Sequence, residues 1–151
     1  ENIVKQILAT DISPLALDVA SYNIKHFNVS NICLKKHDFL NCTFDNKFDL
    51  IISNPPYISI QEYNKLPHHI LEYEPRIALT DEDTGLLFYY RFADQLPYIL
   101  KPNGMFLCEL GSTSIVKKVK KIFLNKGYEF NILKDLNNDD RIIQIQSLSK
   151  N

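Results

Sequence analysis

The sequence is poor in glycine and in cysteine and has no excess of either charge, and each shortage excludes a class of protein. Its 151 residues include only four glycines and three cysteines. An odd number of cysteines without paired spacing argues against a disulfide framework and predicts reduced thiols, with Cys33 and Cys108 in the core. No apolar run reaches the roughly 18 residues of a membrane span. The net charge of -1 argues against a large cationic surface for nucleic acid, although a local basic patch stays open.

The four glycines also lack the spacing of a nucleotide-binding loop. Gly85, Gly104, Gly111 and Gly127 form no G-x-G pattern. Either the chain has no nucleotide site, or a first strand and its glycine loop precede residue 1. The start, "ENIVKQILATD", lacks an initiator methionine and does not resemble a signal peptide. We therefore expect a chain cut from something longer.

Apolar strands alternate with amphipathic helices along the sequence. The patterns predict buried strands over 6–11, 31–38, 48–53 and 105–110, and helices over 13–28, 85–100 and 112–127. Residues 54–84 read as an irregular connection and 101–104 as a turn, and a kink or restart is expected near Pro97. Residues 128–136 and 141–148 read as an antiparallel hairpin. This order predicts one α/β domain with a doubly wound sheet and an antiparallel strand near one edge.

Two acids follow predicted strands at the edge where open α/β sheets bind ligands. Asp11 ends the first strand, in the position of an acid that accepts hydrogen bonds from two ribose hydroxyls. Asp38 ends the next strand and could receive an adenine amino group. Aspartate is also common in solvated turns, and that alternative stays open for both residues.

The segment "FDLIISNPPYIS", residues 48–59, places an amide directly after an apolar strand. Asn54 precedes a proline, and Pro55 and Pro56 each have a fixed φ and no N–H, so the segment is stiff and extended. The Asn54 side-chain oxygen and a nearby backbone carbonyl then form two acceptors, which suit the two donors of one NH₂ group. Tyr57 adds a flat face for a planar amide or base. A plain turn after a strand is the alternative.

Such a pair of acceptors has a chemical use. An amide nitrogen is a poor nucleophile because its lone pair is shared with the carbonyl, a conjugation reflected in the peptide rotation barrier of about 18–20 kcal/mol. Holding both N–H groups favours a geometry in which the lone pair leaves conjugation and points at an electrophilic methyl group. The proton can leave after attack, so no strong base is required.

Four stretches of the sequence resemble one enzyme family. "NPPY" after a hydrophobic strand is similar to motif IV of S-adenosylmethionine-dependent methyltransferases that act on NH₂ groups. "ATDISPLALDVASYN", "YEPRIALTDEDTGLLFYYRFADQLPYILKPNGMFLCELG" and "KDLNNDDR" resemble the HemK/PrmC family, the release-factor glutamine methyltransferases. The stretch at residues 73–111 is the most selective for this family. The resemblance extends from about residue 7 to about residue 146.

The resemblance implies a fold, a reaction and a set of site residues. The fold is the Rossmann-like class I methyltransferase sheet, with strand order 3-2-1-4-5-7-6. The cofactor is S-adenosyl-L-methionine, and the substrate is the GGQ glutamine of class 1 peptide chain release factors. Catalysis and substrate binding are assigned to Asn54, Pro55, Pro56 and Tyr57. Glu74, Pro75 and Arg76 belong to the substrate-side loop, and cofactor binding is assigned to Asp11, Asp38, Phe39 and Asn54.

The chain also departs from the family. The N-terminal helical domain and the first β-α unit with its "G-x-G-x-G" loop are missing, so residues 1–151 are expected to form a partial catalytic domain that binds the cofactor poorly alone. Loss of the first strand would leave two inner sheet edges unpaired. We expect a monomer without metal, in a bacterial-type cytoplasm or an organellar matrix. A nucleic-acid amino methyltransferase (adenine-N6 or guanine-N2) and an inactive fragment are the alternatives.

Overall fold

The chain divides into two units at the boundary between residues 43 and 44. The computed structural model describes residues 4–111 and 113–147, without the side chains of residues 113 and 114. Ser112, the first residue of a predicted helix, and Leu148, the last residue of a predicted strand, lie outside the described residues.

The first unit is a single β-α-β segment. It consists of β1 (Ile7–Asp11), α1 (Pro14–His26) and β2 (Ile32–Lys36), and the two strands pair in parallel. Ser13 caps the helix, since its Oγ accepts a hydrogen bond of 3.3 Å from the Ala16 amide. Pro14 occupies the first turn, where its missing N–H costs nothing. The predicted helix start is therefore confirmed.

The predicted burial of this unit is wrong. The exposed fractions of Ile7, Val19 and Phe27 are 38%, 63% and 70%, and Cys33, expected in the core, is also exposed. Within the described residues β1 pairs only with β2 and has no strand along its other edge. Within the described residues of this unit, α1 packs against β1 and β2, and no further helix or strand covers the remaining apolar side chains.

The second unit is built around a four-stranded sheet. Its strand order is β3-β4-β6-β5, with β3 parallel to β4 and the other neighbours antiparallel. The predicted closing hairpin and its place at one edge are confirmed. The strands and long helices are β3 (Phe48–Ser53), α5 (Leu87–Ile99), β4 (Leu100–Glu109), α6 (Thr113–Asn125), β5 (Asn131–Lys134) and β6 (Asp140–Gln146).

Aromatic side chains form the core of the second unit. Tyr89, Phe106 and Phe123 are fully buried, and the Phe106 ring centroid lies 4.7 Å from that of Phe92 and 6.2 Å from that of Phe123. Full burial of one such side chain contributes about 1.5–3 kcal/mol. Four apolar residues at helical spacing along α6 are also buried: Ile115, Val119, Ile122 and Phe123. This core fixes β4, whose end leads into the site.

The connection after β3 is more regular than predicted. Residues 54–84, expected to be irregular, contain three short helices: α2 (Ile60–Tyr63), α3 (His68–Tyr73) and α4 (Arg76–Leu79). Helices of one turn or little more are too short to show a 3.6-residue apolar period, which is why the sequence pattern missed them.

A predicted turn and a predicted helix restart in the second unit are also wrong. The expected turn at 101–104 lies inside β4 as an irregularity, since Phe48 pairs with Leu100 while Leu50 pairs with Met105. Helix α5 continues through Pro97 without restarting. Pro97 stands in the last turn, so it breaks only one helical hydrogen bond.

The strand order of each unit, taken separately, matches a part of the family order. Their orders, β2-β1 and β3-β4-β6-β5, correspond to 3-2 and 4-5-7-6. The described residues hold no counterpart of strand 1, and β3 pairs with β4 alone. Leu50 and Ile52 are 47% and 70% exposed, so the prediction of a strand covered on both faces is wrong for this chain.

Candidate functional site

Asn54 stands at the carboxyl end of β3 with its side chain exposed to solvent. Within residues 4–111 and 113–147, its amide makes no side-chain hydrogen bond and the Pro55 carbonyl accepts none. Pro55 itself is buried and Pro56 is half-buried, so the turn is anchored next to the exposed Asn54. The two acceptors expected from the sequence are therefore present and uncommitted to the described residues.

The chain after Tyr57 is tied to the far end of the same connection. Ile58 forms a β-bridge with Thr80, and its amide donates to the Leu79 carbonyl at 3.0 Å. The Ile60 amide donates to the Asp83 carbonyl at 3.0 Å. The structure thereby brings the "NPPY" segment against the carboxyl end of the "EPRIAL" stretch, which the sequence could not place.

Ser59 and Glu62 hold the start of α2 as a capping box. The Ser59 amide donates to Glu62 Oε2 at 3.2 Å, and the Glu62 amide donates to Ser59 Oγ at 3.3 Å. Reciprocal bonds of this kind satisfy two amides that the helix itself leaves unpaired. They fix the direction in which the chain leaves the site.

Arg76 joins the two arms of the connection. Its Nε donates to Glu82 Oε1 at 2.5 Å, a second bond joins the same two side chains, and its guanidinium carbon lies 4.9 Å from the Tyr63 ring centroid. The hydrogen bonds from Arg76 lower the pKa of the Glu82 carboxyl. Arg76 is therefore occupied within the loop, which supports the architectural role that the sequence assigned to it.

Glu74 and Pro75 precede α4 and are both exposed. No described contact joins either of them to Asn54, Pro55, Pro56 or Tyr57. They lie in the same unit as these four residues, but their assignment to substrate binding stays a prediction.

The proposed cofactor residues Asp11, Asp38 and Phe39 belong to the first unit. The Asp11 carboxylate is exposed, and its Oδ1 accepts a hydrogen bond of 2.8 Å from the Ser13 amide. The Asp11 carbonyl accepts a hydrogen bond of 3.0 Å from the His37 amide, and this bond aligns the ends of β1 and β2. The second carboxylate oxygen of Asp11 accepts no bond from the described residues and suits a ribose hydroxyl.

Asp38 is more engaged than Asp11. Its Oδ2 accepts a hydrogen bond of 2.8 Å from the Asn41 side-chain amide. Its Oδ1 accepts hydrogen bonds of 3.2 and 3.3 Å from the backbone amides of Leu40 and Asn41. The hydrogen bond from the Asn41 side chain lowers the pKa of Asp38. Asp38 and the half-buried Phe39 thus form a turn, the arrangement that the sequence left open as the alternative.

Sequence reasoning missed three residues that shape the site. The Asp81 carboxylate accepts bonds of 2.9, 2.8 and 2.9 Å from the amides of Asp83, Gly85 and Leu87. Gly85 and Gly111 both approach Tyr57 closely. The scarcity of glycine could have revealed Gly85 and Gly111, because a glycine in a glycine-poor chain is a candidate for a position that no other residue can occupy.

The described residues offer neither a metal-binding cluster nor a membrane-spanning helix. No group of three histidine, cysteine or acidic side chains within residues 4–111 and 113–147 could hold a metal ion. In the same part of the chain, no helix combines the length and apolar character needed to cross a bilayer.

Known proteins resemble this chain in sequence and in fold. The bifunctional methyltransferase of Rickettsia prowazekii (strain Madrid E) is 41% identical over 147 residues, which are 96% of this chain and 28% of that protein. The release factor glutamine methyltransferase of Bacillus subtilis (strain 168) is 37% identical over 148 residues, covering 95% and 50% of the two proteins. The chain thus spans half or less of the length of these relatives. They confirm the resemblance seen in the sequence.

A solved structure agrees with the fold. The N-methyltransferase NodS from Bradyrhizobium japonicum WM9, solved with S-adenosyl-L-homocysteine, superposes with a TM-score of 0.56 at 14% identity, covering 95% of this chain and 67% of NodS. The predicted Rossmann-like class I methyltransferase fold is confirmed. A family model described as Eco57I restriction-modification methylase matches residues 9–150. Because that match takes in nearly the whole sequence, the chain belongs to the Eco57I restriction-modification methylase family.

Proposed function

We propose that this chain is the catalytic portion of an S-adenosylmethionine-dependent methyltransferase acting on the side-chain amide nitrogen of a glutamine. The substrate is the GGQ glutamine of class 1 peptide chain release factors. The observation that carries this proposal is the exposed Asn54 amide beside an uncommitted Pro55 carbonyl, in the same unit as the family-specific loop. The release factor glutamine methyltransferase named above supports the choice of substrate.

Asn54 and Pro55 bind and orient the substrate amide. The Asn54 side-chain oxygen and the Pro55 carbonyl each accept one N–H of the glutamine NH₂. Pro56 and Tyr57 shape the slot and exclude water from it. S-adenosyl-L-methionine, when bound, supplies the electrophilic methyl group. Orientation of this kind can lower a barrier by up to about 7–11 kcal/mol.

The residues of the first unit fit one part of the cofactor. A carboxylate with an uncommitted oxygen, Asp11, suits the ribose hydroxyls, and Asp38 with Phe39 would lie toward the adenine. The methionine part calls for a glycine loop, and the four glycines form none. We therefore expect the 151-residue chain to bind S-adenosylmethionine poorly by itself, and micromolar affinity in isothermal titration would contradict this.

A second candidate substrate is an amino group of nucleic acid. The description of the matching family model, a restriction-modification methylase, favours it. The net charge of -1 disfavours it, because nucleic-acid binding draws most of its affinity from phosphate neutralisation. The release-factor substrate therefore ranks first, and the protein is taken as a monomer of the bacterial-type cytoplasm or an organellar matrix.

Methyl transfer from labelled cofactor decides between the two. The protein, in the full length that its gene encodes, is incubated with a class 1 release factor, with ribosomal RNA or with duplex DNA. Label in the release factor, lost when the GGQ glutamine is replaced by alanine, is the expected result. Label in RNA or DNA alone would move the assignment to the second candidate. No label in any of the three would point to an inactive protein.

A further inference from the structure

Tyr57 meets the backbone of Gly111 where a side chain would normally lie. A Cβ atom built on Gly111 would lie 2.5 Å from Tyr57 Cδ2 and 2.8 Å from Tyr57 Cγ. Carbon atoms in contact normally lie about 3.5–4.0 Å apart. Both Tyr57 atoms belong to the root of the ring, so the ring could not yield without a change of χ1. Only glycine at 111 is compatible with this position of Tyr57.

Gly85 approaches Tyr57 from its backbone side. A Cβ atom on Gly85 would overlap the Tyr57 carbonyl oxygen and lie 3.2 Å from the Ser59 amide nitrogen. Gly85 also has a φ of +78°, which other residues adopt only with strain. Two separate reasons therefore favour glycine here, and an experiment must separate them.

A buried group holds the backbone at Gly85 and another holds it close to Gly111. The Asp81 carboxylate, 8% exposed, accepts the Gly85 amide at 2.8 Å. At the end of β4, the Tyr89 hydroxyl donates to the Glu109 carbonyl at 2.8 Å, two residues before Gly111.

The closing hairpin holds the same end of β4 from the other side. The Leu110 amide donates to the Arg141 carbonyl at 2.7 Å, and Arg141 Nη1 donates back to the Leu110 carbonyl at 3.4 Å. The Arg141 guanidinium in turn donates to Asp135 at 2.9 Å. The two backbone segments that contact Tyr57, at Gly85 and at Gly111, are therefore fixed.

We propose that Gly85 and Gly111 form a clamp that positions Tyr57 and, through it, the acceptors of Asn54 and Pro55. Gly85 and Gly111 are positioning residues, since they act through Tyr57 and touch no substrate atom. The consequence for methyl transfer rests on the proposed function, but the clamp itself does not.

A double-mutant cycle tests the clamp without any assay of activity. Gly111→Ala, Tyr57→Ala and the double variant are made in the full chain, and their folding equilibrium constants are measured by urea unfolding. Gly111→Ala should lower this constant at least about tenfold, because it overpacks a buried contact. In the Tyr57→Ala background the same change should lower it less than about threefold, since the overlapped ring is gone.

The outcomes of this cycle are distinct. Equal losses in both backgrounds would overturn the clamp at Gly111. If Gly111→Ala fails to fold while the double variant folds, the clamp is supported. If neither folds, glycine is needed for a reason other than Tyr57, and the clamp is overturned.

Gly127→Ala is the matched control for Gly85→Ala. Gly127 has the same φ of +78°, but nothing lies within 4 Å of the position of its Cβ. Gly85→Ala should therefore lower the folding constant at least about fivefold more than Gly127→Ala, because it adds overlap to strain. Equal losses would mean that only φ matters, and would remove Gly85 from the clamp.

Kinetics then connect the clamp to the proposed reaction. In the full-length protein, Gly111→Ala should lower kcat at least about tenfold while changing the KM for S-adenosylmethionine less than about twofold, and Gly127→Ala should change neither. If the parent protein transfers no methyl group, the proposed function fails while the folding cycle still decides the clamp. If the parent is active and the cycle shows no coupling, the clamp alone is overturned.

Discussion

The hydroxyl of Tyr128 donates a hydrogen bond of 3.0 Å to the carbonyl oxygen of Ala93. In an uninterrupted helix this carbonyl would accept the amide of residue 97, which is Pro97 and has no N–H. Ala93 is 2% exposed, so water has little access to its carbonyl. A side chain from just beyond α6 thus satisfies the acceptor that proline leaves unpaired in α5.

Tyr128→Phe should therefore lower the free energy of unfolding by about 1 kcal/mol, the usual net value of such a bond. Urea unfolding of the chain measures this change. Tyr98→Phe is the matched control, because Tyr98 is 69% exposed and should lose nothing. A loss no larger for Tyr128→Phe than for the control would mean that the Ala93 carbonyl finds another donor.

Acid should weaken the closing hairpin through Asp135. The hydrogen bonds from Arg141 lower the pKa of Asp135 below its ordinary value of 3.8. A carboxyl whose folded pKa is depressed adds stability above its unfolded pKa, and that stability is lost as pH falls through the folded pKa. Asp135→Asn should thus lower the free energy of unfolding at about pH 7 and have a smaller effect at about pH 3, below the ordinary pKa of 3.8.

The measurement is urea unfolding of both proteins at each pH. Asp45→Asn serves as the control, since Asp45 is exposed and forms no ion pair within the described residues. An equal loss at both pH values for Asp135→Asn would show that the carboxylate charge is not what stabilises the hairpin.

The three cysteines should differ in reactivity. Cys108 is fully buried in β4, and burial raises the pKa of its thiol well above the ordinary value. Cys33 and Cys42 are exposed. An aromatic disulfide reagent should modify these two thiols in the native protein and the third only after unfolding, because the thiolate is the reactive form. Cys108→Ser should leave the native count unchanged, and a lower count would contradict the assignment.

The sequence predicted those parts of the fold in which a local pattern reports directly on structure. The apolar period of α6 and the alternation in the closing hairpin gave the correct elements, because each repeats over several turns or pairs. The exposure of β1 and β3 could not be predicted in this way. Apolar residues such as Ile7 and Ile52 show that a strand is suited to burial, but they do not show whether a neighbouring layer is present.

The same distinction separates the parts of the site. The two acceptors predicted at Asn54 and Pro55 depend on the local stiffness of an Asn-Pro-Pro segment, which a local pattern can show. Gly85 and Gly111 act through contacts with Tyr57 that cross long stretches of chain. Such contacts depend on the register of β4 and on the Asp81 loop, and no local pattern encodes either.

Asn54→Ala should reduce methyl transfer by the full-length protein at least about 100-fold while lowering cofactor affinity far less, since three of the four residues assigned to the cofactor remain. The physical reason is that one of two acceptors for the substrate NH₂ is lost, while the cofactor contacts proposed for Asp11 remain. Asn54→Asp retains acceptor oxygens and should lose less. Labelled methyl transfer and isothermal titration give the two quantities.

Asn46→Ala provides the control for this change. Asn46 is exposed and precedes β3, so it lies at the opposite end of the strand from Asn54. It should retain full transfer. Equal losses of transfer and of cofactor affinity in Asn54→Ala would identify Asn54 as structural and would contradict the proposed role.

The open edge of β3 is expected to limit the concentration at which the 151-residue chain stays dispersed. Ile52 is 70% exposed on a strand that has no neighbour on one side among the described residues. Unpaired, apolar strand edges promote pairing with other chains, and charged side chains suppress it. Ile52→Lys should therefore raise the concentration at which light scattering detects aggregates.

Leu136→Lys separates this edge effect from a general gain in polarity. Leu136 is 106% exposed but lies in the turn of the closing hairpin, outside any strand. Both substitutions remove one exposed apolar side chain and add one charge, and each should change the free energy of unfolding by no more than about 0.5 kcal/mol. Only Ile52→Lys should raise the concentration at which aggregates appear, because of these two residues only Ile52 lies on a strand with an unpaired backbone. An equal rise for both variants would mean that surface polarity, and not the edge of β3, governs association.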